Sequence, residues 1–103
     1  MRVFIDKAVH EEIMSFYQAA LAHHITLDET TVQKKIDRLY GALESLGEYA
    51  DIYPTARLKS VWVSKGYHEF ICEDFHFAYQ VHQFEDGERI VRVHDAVHSL
   101  MYY

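Results

Sequence analysis

The apolar residues of this chain change their repeat once, and that change limits the folds open to it. Between Val9 and Leu46 they recur every three or four residues; between Phe75 and Val93 they recur every second residue. The first spacing gathers a stripe on a helix and the second gathers one face of a strand. Helices followed by a run of strands therefore predict an α+β domain.

Residues 8–22 read as a first helix, with Val9, Ile13, Phe16, Tyr17, Ala20 and Leu21 on one side. Glu11 and Glu12 are expected in its first turn, and His23 and His24 just past its apolar end, where each charge suits the helix dipole. A connection over 25–29 leads to a second helix, from Thr30 or Thr31 to Leu46. Its inner stripe is Val32, Ile36, Leu39, Leu43 and Leu46. Asp28 and the two Thr offer N-cap oxygens, and Gly47 is expected as the C-cap. Ahead of both, 1–6 reads as a short strand in which Val3 and Ile5 alternate with Arg2 and Phe4.

The segment 49–60 reads as a connector holding the one proline, Pro54. After it Val61 and Val63 alternate, and 67–72, 75–84 and 89–94 read as three strands. Glu73-Asp74 and Asp86-Gly87 mark the turns between them. The expected order is β-α-α-β-β-β in a single domain over 1–103, with a helical hairpin on one face of the sheet and a three-stranded antiparallel meander.

Register then decides which residues share a face. Phe75, Phe77, Tyr79 and Val81 alternate with His76, Ala78, Gln80 and His82. The aromatic set belongs inside, because burying a large apolar side chain is worth about 1.5–3 kcal/mol. Val91 and Val93 align with it if Glu85 pairs with Arg89 across the loop Asp86-Gly87-Glu88. That register sets His82 opposite Arg92, Gln80 opposite His94 and His76 opposite His98. A two-residue turn at Glu73-Asp74 adds Tyr67, Glu69 and Ile71 to the same outer face. One sheet face then carries a carboxylate, imidazoles, a guanidinium and a tyrosine, the groups that proton transfer and phosphate contact require. A solvated outer face accounts for the same polar pattern without any chemistry.

Composition narrows the classes. With 103 residues, half of them apolar, the chain can build one core without staples. One cysteine excludes an internal disulfide framework and a Cys-based zinc cluster. Cys72 reads as a small buried or edge side chain, and Trp62, Tyr49 and Tyr53 as packing around the connector. No apolar run approaches the ~18 residues of a membrane span, and the N-terminus has no signal-like apolar stretch. A soluble cytoplasmic protein is expected, with no membrane partner. The net charge is −6, from 10 basic and 16 acidic residues, so no strong phosphate-gripping surface is evident from the count. Five of the eight histidines lie in the second half, where their charge depends on pH.

The chain resembles the RelE/ParE superfamily of bacterial type II toxin–antitoxin toxins over nearly its whole length. The element order and length carry the likeness, together with two segments. Phe75-His76-Phe77-Ala78-Tyr79-Gln80-Val81 looks like the family strand "Y-R-L-V-Y-x-V", and Ile90-Val91-Arg92-Val93-His94 looks like its last strand. The resemblance implies a plasmid-stabilization type of toxin whose partner is a cognate antitoxin, with a C-terminal segment wrapping the helices and a sheet edge. RelE-like members inhibit translation by cleaving mRNA in the ribosomal A site, whereas ParE-like members bind DNA gyrase without that catalytic set. By resemblance, His76 stands at the sheet-arginine position and Glu69 at that of the carboxylate base. His94 or His98 matches the C-terminal histidine, and Tyr102 or Tyr103 the terminal tyrosine. The chain departs from the family in its acidic charge, in the histidine at the arginine position, and in lacking second-strand lysines; Lys59 and Lys65 lie before that strand. Two expectations follow. One is a metal-independent endoribonuclease without cofactor: Glu69 or His94 as base, Arg92 with protonated His76 holding the phosphate, and His98 or Tyr102 as acid. The other is a non-catalytic toxin or interaction module that occupies a protein target. A homo-oligomer is left open. Metal binding by His94 and His98, four residues apart, is a weaker third reading, since 96–98 are expected at or beyond a strand end.

Overall fold

A computed structural model of the chain describes residues 1–23 and 27–102. Strand β1 is Arg2–Ile5, helix α1 is Lys7–His23 and helix α2 is Glu29–Tyr49. A 3-10 turn at Ala50–Ile52 leads to a short helix α3, Ser60–Ser64. The strands β2 (His68–Cys72), β3 (Phe75–Gln83) and β4 (Arg89–His98) follow, then a 3-10 turn at Ser99–Met101. The sheet order is β1-β4-β3-β2, with β1 parallel to β4 and the other pairs antiparallel. The fold is thus α+β with a mixed four-stranded sheet.

The stripes read from the sequence meet on one side of this sheet. Val9, Ile13 and Tyr17 of α1 and Val32, Ile36, Leu39, Leu43 and Leu46 of α2 are buried there. They pack with Phe75, Phe77, Tyr79, Val91 and Val93 in one cluster. The Tyr79 hydroxyl, deep in this layer, donates to the Ala50 carbonyl at 2.5 Å. That bond meets the requirement that a buried polar group be paired.

Helix boundaries differ from expectation for local reasons. Helix α1 begins at Lys7, so Glu11 and Glu12 fall beyond its first turn. Asp28 caps α2 by accepting from the Thr31 amide at 2.7 Å. Gly47 does not end α2; it lies inside it and is buried. A Cβ there would come within 2.4 Å of the Met1 carbonyl oxygen, so the glycine lets β1 cross the helix closely. The Met1 amino group donates to the Gly47 carbonyl at 2.8 Å. His24, residues 25 and 26 of the connection expected over 25–29, and Tyr103 lie outside the described residues.

The β3–β4 loop has the expected three residues but slides back by one. Phe84 N–H donates to Glu88 O at 2.8 Å, and Gly87 N–H donates to Phe84 O at 3.0 Å. Glu85-Asp86-Gly87 is therefore the loop. A three-residue hairpin of this kind needs positive φ at its last position, and Gly87 supplies it with φ +88°. The slide shifts the register by two, an even number, which preserves the faces. Gln80 now opposes Arg92 and His82 opposes Ile90, in place of the expected partners His94 and Arg92. Glu73-Asp74 is the two-residue turn foreseen, with φ of 49° and 69°. It is held from both sides: Arg38 donates to Glu73 at 2.8 Å, and the Ser99 amide donates to the Asp74 carbonyl at 2.7 Å.

Two features were not foreseen. Strand β4 continues to His98, with a bulge that leaves His94 without an opposite residue: Tyr79 pairs with Val93 and Ala78 with Asp95. One extra residue reverses the alternation beyond it. His98 therefore opposes Phe75 and turns to the helix side, where its ring stacks on Phe16 at 3.8 Å. The second feature is α3. Val61 and Val63 do not belong to a strand; both are exposed on α3, while Trp62 between them is fully buried. Trp62 packs with Ala56 and Ala78, bordered by Tyr67, Val97 and Tyr102. Helices therefore do not cover one face only, because this short helix lies over the other.

Candidate functional site

Trp62 divides the second sheet face. Its indole N–H donates to Asp95 Oδ2 at 2.9 Å. It sits over Ala78, the β3 residue between His76 and Gln80 along that face. The residues expected as one constellation are accordingly parted into two groups, and His98 belongs to neither.

The first group joins β2, β3 and the C-terminal end. His76 Nδ1 lies 3.0 Å from Glu69 Oε2, and the Tyr102 hydroxyl donates to Glu69 Oε1 at 2.7 Å. The Tyr102 ring lies flat on His76, with centroids 3.8 Å apart and planes 6° from parallel. An ionised carboxylate only accepts, so the hydrogen on Nδ1 belongs to His76, and in neutral imidazole Nε2 is then left bare. The one buried side-chain nitrogen or oxygen without a partner among the described residues is His82 Nε2. His76 Nε2 makes no hydrogen bond among the described residues. Burial, with the bond and charge of Glu69 adding to it, pushes the Tyr102 phenol up to about 12. It holds its proton at neutral pH.

The second group joins β1, β3 and β4. Arg92 donates to Asp6 through Nε at 2.9 Å and Nη2 at 3.4 Å. That guanidinium holds the Asp6 carboxyl below its usual range, against some burial. His94 lies between Asp6 Oδ2, 3.4 Å from Nδ1, and Gln80 Oε1, 3.0 Å from Nε2. Tyr67 stacks on its other side at 4.7 Å. Burial lowers the His94 pKa, and Arg92 and His82 lower it further, while Asp6 opposes them. The bulge makes this packing possible, because it points both His94 and Asp95 outward.

His98 is set apart on the helix side. Its Nδ1 accepts from the Leu100 amide at 3.2 Å, and burial lowers its pKa. His94 and His98 thus face opposite sides of the sheet, and the reading of them as a metal-holding pair fails on geometry. Among the described residues no group of three or more His, Cys, Asp or Glu could hold a metal ion. No described helix is long and apolar enough to cross a membrane. Cys72 is half-buried, and burial raises its pKa.

An open groove of about 610 Å³ runs beside the first group. Its lining includes Pro54, Arg57 and Leu58 of the connector with Glu69 and Ile71 of β2 and Tyr102. It forms where the connector leaves the sheet edge. Thr55 bridges His68, and the Glu69 amide donates to the Pro54 carbonyl at 3.0 Å. The groove and Arg57 were missed in the sequence, since the contacts that bring the connector against β2, the Thr55–His68 bridge, the His68 bond to the Tyr53 carbonyl and the Tyr53–Phe70 ring contact, follow no period of two or of three to four.

No protein-family model matches the chain, and no curated protein or solved structure matches it.

Proposed function

We propose that this protein is a RelE/ParE-like toxin of a type II toxin–antitoxin pair, acting as a ribosome-dependent mRNA endoribonuclease through Glu69, His76 and Tyr102. The observation that carries the reading is the direct contact of these three side chains, drawn from β2, β3 and the C-terminal end, beside an open groove. The roles follow from the bonds. Glu69 already accepts two hydrogens, which suits it to orient rather than to abstract. It keeps the proton of His76 on Nδ1 and leaves Nε2 as the base, as a carboxylate does for the histidine of a catalytic triad.

In this reading His76 Nε2 takes the proton of the substrate's 2′-hydroxyl, whose oxygen attacks the adjacent phosphorus. The bond from phosphorus to the 5′-oxygen breaks, and Tyr102 gives that oxygen its proton. A phenol pushed to about 12 is protonated at neutral pH yet acidic enough to serve an alkoxide. The products are a 2′,3′-cyclic phosphate and a free 5′-hydroxyl. His94 and Arg92, tied to Asp6 on the far side of Trp62, have no part in these steps.

The test is induced expression with growth as readout, and purified protein incubated with ribosomes and mRNA. Glu69→Gln, His76→Gln and Tyr102→Phe should each lower cleavage by about a hundredfold or more. Absence of cleavage by the wild type, or cleavage by all three variants at the wild-type rate, rejects the catalytic reading. The second reading, a toxin or interaction module that only occupies a protein target, is favoured by the net charge of −6 and by the acid-paired arginines. Growth arrest that survives the triple variant would support it.

A further inference from the structure

Arginine pairing sorts the cations of this acidic chain. Arg38, Arg89 and Arg92 each bond a carboxylate: Glu73 at 2.8 Å, Asp51 at 2.6 Å and Asp6 at 2.9 Å. Arg2 lies over the Phe4 ring. Arg57 has neither a carboxylate nor a ring partner among the described residues. It is exposed and lines the same groove as Glu69 and Tyr102.

We infer that Arg57, not Arg92, holds the phosphate of an RNA strand lying in this groove. The inference rests on the acid–base reading of Glu69, His76 and Tyr102 given above, and supplies the cation which that reading lacks. A guanidinium presents a planar fork that fits two phosphate oxygens at once. Arg92 already bonds Asp6 through Nε and Nη2, and releasing it would leave that carboxylate with His94 alone. Arg57 would give up only water. Its place in the lining of the groove that Glu69 and Tyr102 also line lets a phosphate bound there meet a cation beside the acid–base pair. The apolar sides of Pro54, Leu58 and Ile71 leave room for a sugar or base beside it.

The probe is a 2′-O-methyl RNA dodecamer, which binds but cannot be cut, followed by fluorescence anisotropy over a salt series. Arg57→Gln should weaken binding about ten- to a hundredfold, the loss of one charge-assisted contact. It should also make the slope of log K against log salt shallower by about 0.7, as for one lost phosphate contact on a single strand. Arg57→Lys should restore the slope and part of the affinity. Lys34→Gln on α2, which removes the same charge elsewhere, should stay within about twofold of the wild type. Unchanged binding by Arg57→Gln, weakening by Arg92→Gln alone, or no binding by the wild type each overturns the inference. RNA held through Arg57 but never cut on ribosomes leaves the inference standing and rejects the catalytic reading. Cleavage lost in His76→Gln with binding indifferent to Arg57 does the reverse.

Discussion

Trp62 and Asp95 come from opposite ends of the second half of the chain and meet on the sheet face away from the helical hairpin, indole nitrogen to carboxylate oxygen at 2.9 Å. This contact fastens α3 to β4 and gives the sheet a small second core. Trp62→Ala removes a fully buried side chain, and a loss of about 3–5 kcal/mol is expected in urea denaturation. Trp62→Phe keeps most of the volume but leaves the Asp95 oxygen without its donor, for about 1–3 kcal/mol. If Trp62→Ala melted like the wild type, α3 would not be packed as described.

Acid should weaken the fold through His98. Its folded pKa lies below its ordinary value, so the unfolded chain takes up the proton first as pH falls. Stability is complete above about 6.5, the unfolded value, and declines as pH drops from there toward the lowered folded pKa. His94 acts in the same direction. His98→Phe keeps a ring against Phe16 but cannot titrate. Its melting temperature should start lower, having lost the bond to Leu100, yet fall less between pH 7 and 5 than that of the wild type. Parallel pH profiles would contradict this.

Gly47→Ala should be costly, although alanine favours helices in general. The added carbon meets the Met1 backbone, which cannot move without loosening β1 from α2 and breaking the bond from the Met1 amino group. A loss of about 1–3 kcal/mol is expected, the range for overfilling a packed site. Hydrogen exchange should rise in β1 before it rises in β3.

Gly87→Ala meets no atom within 4 Å, so its cost isolates the backbone. At φ +88° an alanine is strained, and a loss of about 1–2 kcal/mol is expected. Gly87→Asn should lose less, because asparagine tolerates this region. Equal stability of all three proteins would mean that the loop is not the three-residue form.

Which residues face each other could be read along most of the meander because burial has only two answers there. The aromatic set from Phe75 to Tyr79 had to go inside, and even a register error of two kept His76, His82, Arg92 and His94 on the outer side. The loop position was readable in principle, since Gly87 is the residue that tolerates the last place. The bulge at His94 was not. Nothing local marks it; its contacts are with Asp6 and Gln80, far along the chain. Missing it misplaced His98. Val61 and Val63 misled for a different reason: three residues are too few to tell a period of two from the exposed sides of a single helical turn. Glu69 and His76 came together as expected from the two-residue turn, while the contact of Tyr102 with both was not readable from that turn, and the engagement of Arg92 by Asp6 depends on a parallel pairing between the two ends of the chain.

The extra residue in β4 is one that the ladder could lose. Removing His94 would close the bulge and make the ladder regular, leaving Val93 opposite Tyr79, Asp95 opposite Ala78 and every following residue on its present side. A one-codon deletion at this point would therefore keep both faces of the sheet and forfeit only what His94 itself touches: Asp6, Gln80 and Tyr67.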